Sequence, residues 1–432
     1  MSQPGPIAPR IVVDPGGYSA ANIGDAAMLA ALLGRLRRRW PAASIACHTL
    51  EPAWLQALDA AAVPLDPGGA HAWNLEGAVA ARLRLRPSSC AVALAGGRWL
   101  RRASPGAGRR LARGARRGMG RDPDVVDAYL DDVRRADLVV KAGAGALTDA
   151  FAWHAYEALE TLALGQRAGA VTALVGQGIG PIDDPALRRR AAEVLMRADL
   201  VALRDGAASR VLVDAMGVGV ERIVVTGDDA LALVVGRPPS AGDGLGINLR
   251  RAGYAGLEPP HVAAIGDVVR AQAARGRRPI ALPIDRHADV DDLGAIRRCV
   301  APLALDPGDG PRTPEAFLSA VDACRAVVTG SYHGAVFALG SGIPVVAISA
   351  SAYYTHKLTG LVGQFGGACR VVDARHPRFA ERLREALDAA WAEPDLVRVD
   401  LRAAAVRQVA GAEAAFARLA ACVEARPPRT RD

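Results

Sequence analysis

The sequence predicts an α/β protein built from two doubly wound, Rossmann-like domains that face each other across a cleft. Short runs rich in β-branched residues alternate with longer helical patterns along nearly the whole chain. The alternation stops at a stretch rich in glycine and proline, residues 236–244, and then restarts. Strands separated by helices of this length form parallel sheets, and such sheets bind ligands at the carboxyl ends of their strands.

The first domain is expected to span residues 1–238, and the second residues 239–432. In the first, β-rich runs predict strands at 11–14, 44–50, 137–141, 171–176, 200–203 and 222–226. Its helices are predicted at 24–39, 125–135, from 149, at 185–197 and at 206–216. In the second, the same patterns predict strands at 245–250 and 279–284 and helices at 261–274, 289–298 and 314–323. A strand–turn–helix–strand unit follows at 327–349, and then a helical tail from 377.

Composition excludes several classes of protein. No run of apolar residues reaches the roughly 18–20 positions that a membrane-spanning helix needs, and the first ten residues show no secretory signal. The six cysteines form no CxxC pair, which argues against a zinc cluster or a disulfide framework. We therefore expect a soluble, cytoplasmic protein without a metal ion.

Positive charge is concentrated in one insertion of the first domain. The formal charge is +8, and arginines separated by glycine, alanine, serine and proline supply much of it between residues 82 and 121. One interpretation is a solvated or mobile loop. Another is a basic lip that contacts an anionic substrate, polymer or membrane surface. Nucleic acid is less expected, because Trp99 is the only aromatic residue of this segment.

Lysine is rare in this chain. Of its 53 lysines and arginines, only Lys141 and Lys357 are lysines. The two side-chain types differ in shape, hydration and ease of deprotonation, so each remaining lysine is a candidate functional residue. Lys357 lies in a predicted loop after the unit at 327–349, whose turn contains Ser331 and His333. A helix N-terminus binds anions and histidine titrates near neutral pH, so this turn predicts an anion site.

Glycine-rich turns follow several strands of the first domain. Asn22 and Asp25 come after the first strand, where they suit either a helix cap or a cleft-facing acid or base. Gly143 and Gly145 open a similar turn, which ends at Asp149 and a predicted helix N-terminus able to meet an anion. A third such turn follows the next strand. Together they indicate a cleft that the backbone lines closely.

Charged residues end further strands. Arg204 ends a strand of the first domain, and Arg250 ends the first strand of the second. Arg204 could form a surface pair with Asp205 or contribute to a site at the strand end. Asp228 and Asp229 are adjacent carboxylates without a matching set of metal ligands, so we expect no dedicated metal site.

Taken in order, these motifs resemble those of the polysaccharide pyruvyl transferase family. They are Asn-x-Gly-Asp from 22, the glycine turn from 143, Gly-x-Gly-Pro from 178, Arg-Asp-x-x-x-Ser from 204, Thr-x-Asp-Asp-Ala from 226 and Thr-Gly-Ser-Tyr-His-Gly from 329, with a lysine downstream. The resemblance covers residues 10–370 and leaves out the arginine-rich insertion and the tail. It implies a shape similar to GT-B glycosyltransferases. It also implies transfer of the enolpyruvyl carbon of phosphoenolpyruvate to a saccharide, giving a pyruvate ketal and phosphate without a metal or cofactor.

The resemblance also implies roles for individual residues. A donor that carries a phosphate and a carboxylate needs several cations and helix amides around it. His333 is expected to supply or relay a proton to the methylene carbon, and Asp25 or Asp149 to deprotonate the acceptor hydroxyl. The residues expected to bind substrate are Arg204, Arg250, Ser331, Lys357, Asn22, Gly143 and Gly145.

One position departs from some relatives, and two other functions stay open. Tyr332 stands where some relatives carry an arginine between the serine and the histidine, which removes one phosphate ligand. A GT-B glycosyltransferase that uses a nucleotide-sugar donor is the main alternative, and it would need an acidic residue that holds the ribose. A non-catalytic α/β scaffold that binds anionic polymer through residues 82–121 is the third.

Overall fold

Two parallel β-sheets, one in each half of the chain, organise the fold. The computed structural model describes residues 8–83, 85–239, 242–303 and 308–426. Residues 240 and 241 of the predicted linker therefore lie outside the described part, as do the two ends of the chain. Among the described residues, none of the helices combines the length and apolarity needed to cross a membrane.

The first sheet has eight strands and the second has five, and the paired strands within each sheet run parallel. The first is ordered β3-β2-β1-β4-β6-β7-β8, with β5 paired to β6, and the second β10-β9-β11-β12-β13. The strands of the first sheet are β1 (Arg10–Asp14), β2 (Ser44–His48), β3 (Val63–Leu65), β4 (Leu138–Lys141), β5 (Ala144–Leu147), β6 (Val171–Ile179), β7 (Leu200–Leu203) and β8 (Ile223–Val225). Those of the second are β9 (Gly244–Asn248), β10 (Pro279–Ala281), β11 (Cys324–Thr329), β12 (Val345–Ser349) and β13 (Cys369–Asp373).

Helices connect the strands and cover both faces of each sheet. In the first half they are α1 (Ile23–Arg39), α2 (Pro52–Leu58), α3 (Gly68–Trp73), α4 (Leu75–Arg82), α5 (Ala91–Ala103), α6 (Pro105–Gly118), α7 (Asp124–Arg135), α8 (Ala152–Ala168), α9 (Pro185–Leu195) and α10 (Ser209–Asp214). In the second half they are α11 (Pro259–Ala273), α12 (Asp292–Val300), α13 (Pro314–Asp322), α14 (Tyr332–Gly340), α15 (Ala352–Phe365), α16 (Phe379–Trp391) and α17 (Asp395–Glu424).

The burial pattern explains why these segments form central strands. In β1, Ile11 and Val13 pack into one hydrophobic cluster, whereas Val12 between them packs into another. Successive strand side chains point to opposite faces, so a strand covered on both faces is apolar throughout. This arrangement confirms the predicted fold class of two doubly wound α/β domains.

The order of the strands fixes where ligands can bind. The direction of winding reverses between β1 and β4 in the first sheet and between β9 and β11 in the second. At such a reversal the loops that leave two neighbouring strands diverge and open a crevice at their carboxyl ends. Lys141 lies beside Asp14 at one crevice, and Thr329 beside Asn248 at the other.

The last helix joins the two domains. Leu401 and Ala405 of α17 pack into the core of the second domain, whereas Leu419 and Val423 pack into that of the first. Near the end of α17, Glu424 accepts a hydrogen bond from the indole of Trp40, 3.1 Å away. By its contacts, the helical tail that sequence analysis placed in the second domain belongs to both.

Two local predictions were wrong, and one was incomplete. Lys357 lies on α15, which begins after Ser351 caps the amide of Tyr354, and not in a loop. The turn from Gly143 leads into the short strand β5, which was not predicted, and helical structure then begins at Asp149, as predicted, with a single 3-10 turn that continues into α8. The described part of the arginine-rich insertion forms helices, chiefly α5 and α6, because several of its arginines pair with carboxylates of neighbouring helices.

Candidate active site

The two domains meet where α1 begins. Ile23 donates its backbone N–H to the carbonyl of Ile284, 2.9 Å away, and the N–H of Arg286 is 2.9 Å from the carbonyl of Ala21. This contact brings the carboxyl end of β1 against the carboxyl end of the second sheet. The N-terminus of α1 therefore lies close to that of α14, which follows β11.

His333, in the first turn of α14, is buried against the first turn of α1. A Cβ atom on Gly24 would collide with its imidazole, so only glycine allows this approach. Its Nε2 lies 3.7 Å from a carboxylate oxygen of Asp228, too far for a hydrogen bond. Burial, followed by the positive charges of Arg204 and Lys357, lowers the pKa of His333 well below its usual value. The lowered pKa favours the neutral imidazole in the free protein.

Arg204 reaches across the domain boundary and stacks on Tyr332. The centre of its guanidinium lies 3.9 Å from the centre of the phenol ring. Its Nη1 is 3.4 Å from Asp228, and its Nη2 makes no hydrogen bond to a described residue although it is buried. Some relatives have an arginine in place of Tyr332. Here, Tyr332 instead stacks on Arg204, which comes from the other domain. Burial raises the pKa of Asp228 to about 6, although Arg204 acts to lower it.

Lys357 lies beside Arg204. Its Nζ donates to the hydroxyl of Tyr353, 2.5 Å away, and that hydroxyl donates to the carbonyl of Gly145 at 2.9 Å. A Cβ atom on Gly145 would lie 2.6 Å from both Lys357 Nζ and Arg204 Nη2, so the backbone lines the site at this glycine. Burial and then the charge of Arg204 lower the pKa of Lys357 well below its usual value.

Arg250 is close to this group but is engaged by carboxylates. Its Nη1 is 2.7 Å from Asp285 and its Nε is 3.2 Å from Asp292. Asn22 donates from its side-chain amide to the same Asp285 at 2.8 Å, and its Oδ1 caps the first turn of α1. Arg250 and Asn22 are therefore placed to hold the two domains in register, and their side chains already have protein partners.

Asp25 is the carboxylate that faces the cleft from α1. Its oxygens lie against the backbone of Gly16 and Gly17, in the loop after β1. Burial, followed by the negative charge of Asp285, raises the pKa of Asp25. A half-buried carboxylate with a raised pKa, close enough to Lys357 to feel its charge, is suited to accept a proton.

The remaining predicted residues have other positions. Ser331 precedes α14, and its hydroxyl does not cap that helix, so it is available to a ligand. Gly143 packs against Met28 of α1 and not against the cations. Asp149 accepts hydrogen bonds from the backbone amides of Asp183 and Asp184, so it stabilises the loop that contains them. It is not part of the group of cationic side chains.

Sequence analysis missed a second polar group at the carboxyl end of the first sheet. Lys141 donates to the carbonyl of Pro15 at 2.6 Å and lies 3.3 Å from Asp14. His154 is 3.4 Å from Lys141, and the ring of Tyr18 packs on it with centres 5.5 Å apart. The loop of Gly16 and Gly17 separates this group from Asp25. The rarity of lysine was the one feature of the sequence that pointed to this group. Its other members could not be linked to Lys141, because they come from distant segments.

Comparison with solved structures supports the fold. The chain is similar to the glycotransferase of kitacinnamycin, with a TM-score of 0.53, 16% identity and coverage of 95% of this chain and 98% of that one. It is also similar to a protein described as a UDP-N-acetylglucosamine 2-epimerase of Listeria monocytogenes, with a TM-score of 0.57, 14% identity and coverage of 98% and 99%. A third similar structure is that of Arabidopsis thaliana UGT89C1 complexed with UDP, with a TM-score of 0.52, 11% identity and coverage of 95% of this chain and 99% of that one. At these identities the likeness concerns the fold alone, which is that of GT-B glycosyltransferases.

Comparison of sequences identifies the family. No protein of curated function matches the chain. The model of the family described as polysaccharide pyruvyl transferase matches residues 22–351, which include α1, the end of β7, β9 and the motif before α14. This match covers most of the chain and includes Arg204, Asp228 and His333, whereas Tyr353 and Lys357 lie just beyond its end. The chain therefore belongs to the polysaccharide pyruvyl transferase family and is a transferase.

Proposed function

We propose that this transferase moves the enolpyruvyl carbon of phosphoenolpyruvate onto a saccharide as a pyruvate ketal and releases phosphate. The observation that carries this proposal is the grouping of Arg204, Lys357 and His333 around Tyr332 and Gly145. Burial and mutual repulsion disfavour the charged forms of His333 and Lys357, so a small, multiply charged anion would stabilise the group strongly. Phosphoenolpyruvate would supply that negative charge, because its phosphate and its carboxylate are attached to the same carbon.

The first step is protonation of the donor. Besides burial, the positive charges of Arg204 and Lys357 keep His333 neutral. The phosphate and carboxylate of the bound donor offset these charges. His333 then takes up a proton, with Asp228 beside it to stabilise the imidazolium. The double-bond electrons of the donor take this proton at the methylene carbon, and the neighbouring carbon becomes an oxocarbenium-like centre.

The second step is attack by the acceptor. Asp25 removes a proton from one saccharide hydroxyl, whose oxygen bonds to the cationic carbon. The bond from that carbon to the phosphate oxygen then breaks, and a second hydroxyl of the same saccharide closes the ketal. The first acceptor proton passes from Asp25 to the departing phosphate, and the second passes to His333, which gave up its proton in the first step, so the reaction is balanced.

The donor reaches this group only when the domains separate. Arg204 and His333 are almost completely buried. We therefore expect opening of the contact between residues 21–23 and 284–286 to admit the donor, and closure around the bound anion to exclude water.

The test is phosphate release from phosphoenolpyruvate with a panel of saccharides that carry vicinal or 1,3-related hydroxyls. We expect release to depend on the acceptor and to be lost in His333→Asn. His261→Asn, at the start of α11, is the matched control and should retain activity. Thermal stabilisation by nucleotide sugars, but not by phosphoenolpyruvate, would favour the glycosyltransferase alternative and contradict the proposal.

A further inference from the structure

The helical hairpin of α5 and α6 has two chemically different sides. Between residues 91 and 120 the chain has eight arginines and no acidic residue. Part of this charge is directed inward. Arg101 donates to both carboxylate oxygens of Glu76, at 2.8 and 2.6 Å, and Arg109 donates to Asp127 at 2.6 Å. These ion pairs fasten the hairpin to α4 and α7.

The outward side combines unneutralised arginines with large apolar side chains. Arg102, Arg110 and Arg117 are exposed, and no ion pair or hydrogen bond of their side chains is found among the described residues. Four apolar side chains of the same hairpin are also exposed, with the exposed fractions in parentheses: Val92 (87%), Trp99 (69%), Leu111 (55%) and Met119 (54%).

The helical periodicity places four of these residues on two exposed faces, one on each helix. On α5, Val92 and Trp99 are two turns apart and lie opposite the buried Leu94. On α6, Arg110 and Arg117 are likewise two turns apart and lie opposite the buried Ala112. These residues are therefore not scattered over the surface. They form the outward faces of two helices whose opposite faces are buried.

The combination of groups selects the partner. A tryptophan with valine and leucine beside arginines matches the boundary of a lipid bilayer, where indole rings lie at the level of the headgroups and arginines contact phosphate. A polyanion such as RNA or an acidic polysaccharide would neutralise the arginines but leave Val92, Leu111 and Met119 in water.

We propose that the exposed faces of α5 and α6 dock on a bilayer that contains anionic lipid. Val92 and Trp99 enter the interfacial layer, and Arg102, Arg110 and Arg117 contact lipid phosphates. The hairpin lies on the surface of the bilayer. This docking is independent of the donor chemistry, because none of these residues contacts the group around His333.

The test is flotation of the full chain with vesicles of phosphatidylcholine, with and without phosphatidylglycerol. The wild type should float only with the anionic vesicles. The variant Arg102→Ala/Arg110→Ala/Arg117→Ala should lower the partition coefficient roughly 100-fold. The control Arg382→Ala/Arg384→Ala/Arg407→Ala removes the same charge from other exposed positions and should bind nearly as the wild type does.

Insertion of the indole is tested separately. Brominated lipids should quench part of the tryptophan fluorescence of the wild type, and Trp99→Phe should remove that part without changing the circular dichroism spectrum. Failure to bind anionic vesicles would overturn the proposal. Equal loss of binding in the two triple variants would also overturn it, because the attraction would then be one of net charge. Binding of heparin or RNA through these arginines without vesicle binding would assign the surface to a polyanion instead.

Discussion

Replacement of Arg204 by methionine should weaken donor binding and destabilise the fold, and the two effects can be separated. Arg204 is 1% exposed, and its buried Nη2 makes no hydrogen bond to a described residue. A hydrogen bond from a charged group contributes about 1.5–3 kcal/mol. If Arg204 donates to the donor phosphate, its loss should raise the dissociation constant of phosphoenolpyruvate roughly 10- to 150-fold.

The same change removes the ion partner of Asp228. Loss of one member of a buried pair costs about 3–5 kcal/mol of stability, because the other charge stays buried. With the pKa of Asp228 already raised to about 6, protonation of this carboxyl should moderate the loss. The double variant Arg204→Met/Asp228→Asn removes the remaining charge, so its thermal stability should return towards that of the wild type while donor binding stays weak.

A second buried pair supplies the control. Arg190 and Glu160 are 2.9 Å apart and equally buried, on α9 and α8. Arg190→Met should reduce thermal stability by a similar amount without affecting the affinity for phosphoenolpyruvate measured by titration calorimetry. Wild-type donor affinity in Arg204→Met/Asp228→Asn would show that the phosphate does not bind Arg204.

Three further predictions concern the neighbouring groups. Lys357→Met should raise the KM for the donor roughly tenfold in a phosphate-release assay, and an unchanged KM would remove this lysine from the site. Because the pKa of His333 is lowered in the free protein, donor binding at neutral pH should take up a proton and weaken as the pH rises. Calorimetry in buffers of different ionisation enthalpy should detect this uptake in the wild type but not in His333→Asn. Asp25→Asn should retain donor affinity but lose about 100-fold or more in kcat, whereas Asp149→Asn should lower thermal stability and leave kcat nearly unchanged.

The parts of the fold that depend on local sequence could be predicted. The apolar runs and the glycine turns after them gave the alternation of strands and helices, and strand ends of parallel sheets meet at one edge. Together with the resemblance to the family, that rule was enough to group Arg204, His333 and Lys357, which the structure brings together. It could not distinguish the roles of Asp25 and Asp149, because both follow strands. The backbone amides that occupy Asp149 belong to a loop more than thirty residues away.

Partners from distant segments account for the rest. Asp228 was considered only as a metal ligand, and its contacts with Arg204 and His333 depend on the meeting of two domains. Arg250 was expected to bind substrate, but Asp285 and Asp292 already surround it. The arginine-rich insertion looked like a loop because its stabilising carboxylates lie outside it.

A crystal structure of the protein with phosphoenolpyruvate would locate the donor directly. We predict that its phosphate lies within hydrogen-bonding distance of Arg204 and Lys357, between the N-termini of α1 and α14, with the methylene carbon facing His333. A donor bound at another surface, or a nucleotide sugar that occupies this position where phosphoenolpyruvate does not bind, would contradict it.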